Sequence, residues 1–162
     1  MPDKMRIEVA PNQEVTALVY PAGKPDLAGV TAILGHGAGA DQSSDFMTRF
    51  ATGLAARGIN VVTFNFLYTE QGRRVPDMNN KLEKCFRAVV ETTREKKIGR
   101  GTLVIGGKSM GGRIAFAAAS TPDVEGLVFL GYPLHPPGRA DQLRAKHLPD
   151  SSSSDAVRSR FA

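Results

Sequence analysis

Residues Thr102 to Arg113 read Thr-Leu-Val-Ile-Gly-Gly-Lys-Ser-Met-Gly-Gly-Arg, and a run of small residues from Ile114 to Ser120 follows. A short apolar run ending in glycines reads as a buried strand, and the residues after it suit a helix packed closely on that strand. The spacing predicts a strand over 102–105 and a helix over 110–120, joined by a tight turn with Ser109 at its apex. Such a junction is a nucleophile elbow. The turn holds the serine in a strained backbone conformation. Side chains at Gly107 and Gly111, two residues to either side, would collide with neighbouring backbone. The result is an exposed Oγ at a helix N-terminus, where developing negative charge is stabilised. Ser109 is therefore the candidate nucleophile.

The same stretch contains Gly-Lys-Ser and so has a rival reading as a phosphate loop. That motif needs a glycine, four residues, then Gly-Lys-Ser or Gly-Lys-Thr. The first glycine would fall on Thr102, and the intervening residues are the apolar strand rather than a loop. The spacing favours the elbow. Ser109 as a plain turn serine, in a protein that keeps the elbow only as structure, stays open.

The rest of the chain alternates strands and helices. Met5 to Ala10 and Val15 to Tyr20 read as an antiparallel hairpin around the turn signal Pro11 to Glu14. Val30 to Leu34 is a short apolar strand running into Gly35-His-Gly-Ala-Gly-Ala40. A helix follows, capped by Ser43 or Ser44, with Phe46, Met47, Phe50, Ala51, Leu54 and Ala55 recurring on one face. Asn60 to Phe66 is the next strand. Thr69 to Asp77 reads as a polar, flexible loop, with Pro76 in a first helical turn. A helix carrying Leu82, Cys85, Phe86, Val89 and Val90 leads to the elbow strand. Gly126 to Gly131 is a last buried strand, followed by Tyr132-Pro-Leu-His-Pro-Pro-Gly138. This order predicts an α/β fold, a mostly parallel sheet with helices on both faces and an opening antiparallel hairpin. Residues 1–149 form one expected domain. Asp150 to Ala162, serine-rich with little to bury, is expected to be a disordered tail.

An oxyanion hole in this kind of site takes one N–H from the residue after the nucleophile and one from the loop after an early strand. Met110 and Ala38 fill those places. His36 precedes the nucleophile, against the usual order of serine, acid, then histidine, and is read as a histidine that braces its loop. After Ser109 the histidines are His135 and His147, and the acids are Asp123, Glu125, Asp141, Asp150 and Asp155. Asp123 precedes a strand and so lies at the wrong edge of the sheet. Asp141 and His147 are in order, but with no strand between them. His135 follows the right end of a strand and is the candidate base, without a nearby acid to orient it. A loop histidine held by Pro136 and Pro137 is the alternative. Lys108 as a base is disfavoured by its place in so sharp a turn. No metal-ligand spacing occurs, and no cofactor is implied.

Bulk properties set the class. With 162 residues and 41% hydrophobic content, one ordinary domain is expected. The net charge of +5 comes from dispersed basic residues, so neither a nucleic-acid partner nor a membrane is expected. The N-terminus has no apolar signal region and no run reaches membrane-spanning length, giving a cytoplasmic expectation. The single cysteine, Cys85, lies at core spacing and reads as buried rather than reactive.

Four blocks occur in a specific order: Gly35-His-Gly-Ala-Gly-Ala40, Asn65-Phe-Leu-Tyr68, Gly106-Gly-Lys-Ser-Met-Gly-Gly-Arg113 and Gly131-Tyr-Pro-Leu-His-Pro-Pro-Gly138. Over about residues 5–149 the chain resembles one branch of the α/β-hydrolases, the domain shared by a testis-expressed protein and a regulatory subunit of the NSL acetyltransferase complex. It is also similar to dienelactone hydrolases. The resemblance implies a serine hydrolase acting on a small-molecule ester or acyl substrate. It also implies a further core strand, an aspartate and a late histidine after a segment like Leu143 to Pro149. Residues 150–162 do not match that pattern, so the sheet is expected to lack its last one or two strands, as in a truncated chain. Activity is then expected to be weak or absent, and self-association through an exposed sheet edge is expected. The alternative is a non-catalytic binding or scaffold protein.

Overall fold

The computed structural model of the chain describes residues 1–24, 29–99 and 101–131. Two antiparallel strands open it, β1 (Asp3–Ala10) and β2 (Gln13–Tyr20), with Ile7 opposite Val15. Ala10 pairs with Gln13, so the turn between them is only Pro11 and Asn12, tighter than the sequence suggests. Asn12 accepts the positive φ of 59° that such a turn demands, and the Glu8 carboxylate takes its N–H at 3.3 Å.

Four mutually parallel strands follow, β3 (Val30–Gly35), β4 (Asn60–Phe64), β5 (Thr102–Lys108) and β6 (Val124–Leu130). The sheet order is β1-β2-β4-β3-β5-β6, and β2 joins β4 antiparallel. The chain thus leaves β3 for the neighbour on one side, crosses to the neighbour on the other side, and continues outward to β6. Parallel crossovers are right-handed, so this reversal sends the connecting helices to opposite faces.

The helices obey that rule. α1 (Asp45–Ala56) links β3 to β4 and packs Met47, Ala51 and Ala55 against Leu34, Val61 and Tyr20. A single turn, α2 (Leu67–Glu70), follows β4. α3 (Asn79–Glu95) and α4 (Met110–Ala118) cover the other face. There Leu82, Phe86, Val89 and Ile114 share a core with Ile33, Val62, Ile105 and Leu127. Neighbouring residues such as Val61 and Val62 face opposite layers, and both are fully buried. This is why the parallel strands read as continuous apolar runs rather than alternating ones. The expected α/β class, with helices on both faces of a mostly parallel sheet and an opening hairpin, is the observed one.

Three local expectations need correction. Phe46 and Phe50 do not join the buried stripe of α1. They remain 38% and 36% exposed and stack on each other with centroids 5.5 Å apart. At 100° per residue the pair 46/50 and the pair 47/51 form separate rows, and only the second meets the sheet. Ser44 caps this helix, accepting the Met47 N–H, while Ser43 bonds Asp41 instead. The segment read as a loop from Thr69 begins inside α2 and ends on an ion pair of Arg73 with Asp77, whose side chain is 4% exposed. Pro76 lies ahead of α3 rather than in its first turn, because Met78 is still extended and serves as the N-cap. The expected domain end at 149, the tail over 150–162 and the missing last strands concern residues outside those described. Among the described residues no helix is long and apolar enough to cross a membrane.

Candidate active site

The loops leaving the C-terminal ends of β3 and β5 run in opposite directions, toward α1 and toward α4. In an open α/β sheet that divergence opens a crevice, and ligands bind there. The loop 36–42 and Ser109 both lie at it.

Ser109 stands between β5 and α4 with φ 52° and ψ −111°. A non-glycine residue with positive φ and this ψ stores strain, and such strain clusters at functional sites. Close backbone packing enforces it. A Cβ on Gly107 would lie 2.3 Å from the Gly35 carbonyl oxygen, and one on Gly111 would lie 2.1 Å from the same atom. Both approaches are far shorter than any Cβ contact, so a side chain at either position would force the backbone to shift. The Ser109 N–H donates to the Leu130 carbonyl at 3.0 Å, tying the elbow to the end of β6. Ser109 itself is half-buried, and Met110 after it is buried. As the first residue of α4, Met110 has an N–H with no acceptor within its own helix.

The loop 36–42 passes directly alongside. A Cβ on Gly37 would lie 3.7 Å from the Ser109 Cβ, an ordinary contact distance. The Gly37 carbonyl accepts the Ala40 N–H at 3.3 Å, closing a β-turn over Ala38 and Gly39, and Gly39 has the positive φ of 75° that such a turn favours. Ala38 is exposed at the crest of that turn. Gly37, the residue before Ala38, thus lies against Ser109, and Met110 follows Ser109 in the chain.

His36 is fully buried. Its Nε2 accepts the Phe66 N–H at 3.2 Å, and its Nδ1 lies 2.8 Å from the Gly37 carbonyl oxygen. An amide donor on Nε2 requires a lone pair there, so the proton sits on Nδ1 and is donated to Gly37. Burial pushes the imidazole below its ordinary pKa, and the Gly37 hydrogen bond and the Asp41 charge only partly offset this. Both ring nitrogens are committed, so His36 braces its loop and has no free nitrogen for Ser109. Lys108 is committed too. Its ammonium lies over the Phe46 ring, 4.7 Å from the centroid. The candidate base His135 lies outside the described residues, as do His147 and the acids Asp141, Asp150 and Asp155. Asp123 precedes β6, at the opposite end of the sheet from Ser109.

Cys85 plays no part here. It is buried in α3, and burial pushes its thiol up to about 12.

One cluster escaped sequence reasoning. Gln42, at the far end of the loop, is 4% exposed. Its N–H donates to Asn65 Oδ1 at 3.1 Å and its Nε2 to the Thr16 carbonyl at 2.9 Å, while its Oε1 accepts the Thr63 hydroxyl at 3.2 Å. Asn65 Nδ2 donates to Glu70 Oε2 at 3.1 Å, and Glu70 Oε1 accepts from Thr16 Oγ1 and from Arg6. Burial opposes ionisation of Glu70, but the hydrogen bonds from Thr16, Asn65 and Arg6 outweigh it and hold the carboxyl below its ordinary value. In the sequence Gln42, Asn65 and Glu70 are isolated polar residues near strand and helix ends, which is also what solvated positions look like.

Comparison with known proteins shows the fold and the family. Three solved structures superpose closely. XC6422 from Xanthomonas campestris, an α/β serine hydrolase without a lid, is 25% identical with a TM-score of 0.67, covering 79% of this chain and 60% of its own. An α/β serine hydrolase homologue from Coxiella burnetii is 20% identical with a TM-score of 0.68, covering 82% and 64%. A dienelactone hydrolase from Anabaena variabilis is 18% identical with a TM-score of 0.65, covering 80% and 62%. The chain therefore spans about three fifths of the length of these hydrolases. The model of the family described as alpha/beta hydrolase domain matches residues 28–158, which takes in every strand from β3 onward, the loop and the elbow. On that match the chain belongs to the alpha/beta hydrolase domain family.

Proposed function

We propose that the protein is a serine hydrolase of small esters or related acyl compounds. Ser109 is its nucleophile, and the Ala38 and Met110 N–H groups form its oxyanion hole. The observation that carries this reading is the strained Ser109 backbone, φ 52° and ψ −111°, at a strand end with the Gly37 turn packed against it. Strain of this kind clusters at functional sites, and at a strand–helix junction it stands Oγ clear of the sheet.

In this scheme Ser109 Oγ attacks the acyl carbon and the carbonyl oxygen becomes an oxyanion. Two preorganised N–H donors stabilise that charge, the term to which enzymes owe much of their rate. Collapse expels the alcohol and leaves an acyl-serine, which water then hydrolyses. The proton of Oγ needs an acceptor. His36 is not that group, since both its nitrogens are engaged. His135 is the base that we propose, with its acid unassigned.

The test is hydrolysis of a panel of p-nitrophenyl esters of increasing acyl length by the wild-type chain and by Ser109→Ala. The reading expects turnover above the Ser109→Ala background and a dependence on acyl length. Equal rates for the two proteins across the panel would favour a non-catalytic binding role.

A further inference from the structure

The candidate oxyanion loop is held at both ends, and the two ends differ in kind. At its start, His36 fixes the turn by donating to the Gly37 carbonyl. At its finish, the Gln42 N–H is taken by a side chain, Asn65 Oδ1, at the end of β4. We propose that Asn65 is the positioning residue of the oxyanion loop and that the Glu70 carboxylate sets its orientation. This inference rests on the serine hydrolase reading for its catalytic consequence, but not for its structural one.

The chemistry of the bridge picks out a carboxamide. On one side of Asn65 stands a backbone N–H, which needs an acceptor. On the other stands Glu70 Oε2, which needs a donor. A carboxamide carries one acceptor and two donors on a planar head and meets both demands at once. A carboxylate of the same size would satisfy Gln42 but set like charge against Glu70. An apolar side chain would leave the Gln42 N–H and the partly buried carboxylate both short of a partner.

Glu70 in turn is not free to rotate. Its Oε1 takes Thr16 Oγ1 at 2.6 Å as well as Arg6, so the carboxylate is anchored to the β1–β2 hairpin. The Asn65 N–H donates to the Thr16 carbonyl at 3.1 Å, and Gln42 Nε2 reaches the same carbonyl. The opening hairpin, remote from Ser109 in sequence, thereby fixes the far end of the loop whose crest carries Ala38. Asn65 acts through that loop and not on substrate.

The test uses the full chain and a polarity swap. Asn65→Asp places two carboxylates face to face. Adding Glu70→Gln restores an amide-to-carboxylate hydrogen bond with donor and acceptor exchanged, while the amide oxygen still accepts from Thr16 and Arg6. Two readouts apply at neutral pH: amide hydrogen exchange over residues 37–42, and the rate at which a fluorophosphonate modifies Ser109. A hydrogen bond to a charged group is worth roughly a factor of ten or more. Asn65→Asp is therefore expected to speed exchange over 37–42 and slow the modification by at least about tenfold, with exchange in β5 and α3 unchanged. The double variant is expected to return both toward wild type. Exchange over 37–42 that stays at the wild-type rate, that rises equally throughout the sheet, or that the second substitution does not restore would overturn the proposal. A wild-type chain that the fluorophosphonate leaves unmodified counts against the hydrolase reading alone, and the exchange data then decide the positioning role.

Discussion

Phe66 donates its backbone N–H to Nε2 of His36 across 3.2 Å, which places the imidazole proton on Nδ1 and locks the first residue of the candidate oxyanion loop to the end of β4. The bond exists only while His36 is neutral, since protonation turns its acceptor into a second donor. Folding therefore selects the uncharged ring, and the buried site lowers its pKa below the ordinary 6.5. The unfolded chain binds a proton here that the folded chain refuses. Stability from this group is complete above about pH 6.5 and is lost as pH falls below that value toward the depressed folded pKa. His36→Gln, which cannot titrate, is expected to show a flatter dependence of the urea midpoint between pH 7 and 5 than wild type. Parallel profiles for the two proteins would contradict the neutral, bridging histidine.

The elbow glycines differ from an ordinary glycine by what surrounds them. Gly111→Ala forces a Cβ into the Gly35 carbonyl, and overpacking against backbone costs about 1–3 kcal/mol or more. Gly29→Ala meets nothing within 4 Å among the described residues and should stay within about 0.5 kcal/mol of wild type. Equilibrium urea unfolding of the two variants measures the contrast. Equal, small changes would mean that the elbow is not packed as tightly as these distances require.

Cys85 should be inert in the native state. Its thiol is buried and pushed up to about 12, so almost none is thiolate at pH 8. Ellman's reagent is expected to react with one thiol per chain in denaturant. Without denaturant it should react only at a rate that tracks opening of α3. Rapid stoichiometric reaction of the native protein would contradict the burial.

How far the sequence reveals this molecule depends on the range of the interactions involved. The strand, turn and helix around Ser109 were legible because their requirements are local: an apolar strand, a serine and glycines two residues either side all lie within Thr102 to Arg113. The winding of the sheet was legible because strands buried on both faces read as unbroken apolar runs. The helix α1 was legible in position but not in facing, because Phe46, Met47, Phe50 and Ala51 together fill more of the circumference than one buried stripe. The bridge from Gln42 through Asn65 to Glu70 was not legible at all. It brings together a loop, the end of a strand, a single helical turn and the opening hairpin, and polar residues at such places are usually solvated. Only the tertiary fold buries them.

The proposed function requires that the turn at residues 107–111 present Ser109 as a nucleophile beside two N–H donors. The most direct measurement is exposure of the full chain to a fluorophosphonate, followed by intact and peptide mass spectrometry, with Ser109→Ala as the paired control. One adduct per chain is expected, confined to the peptide containing Ser109 and absent from the Ser109→Ala protein. An unmodified wild-type chain, or an adduct that persists in Ser109→Ala, would contradict it.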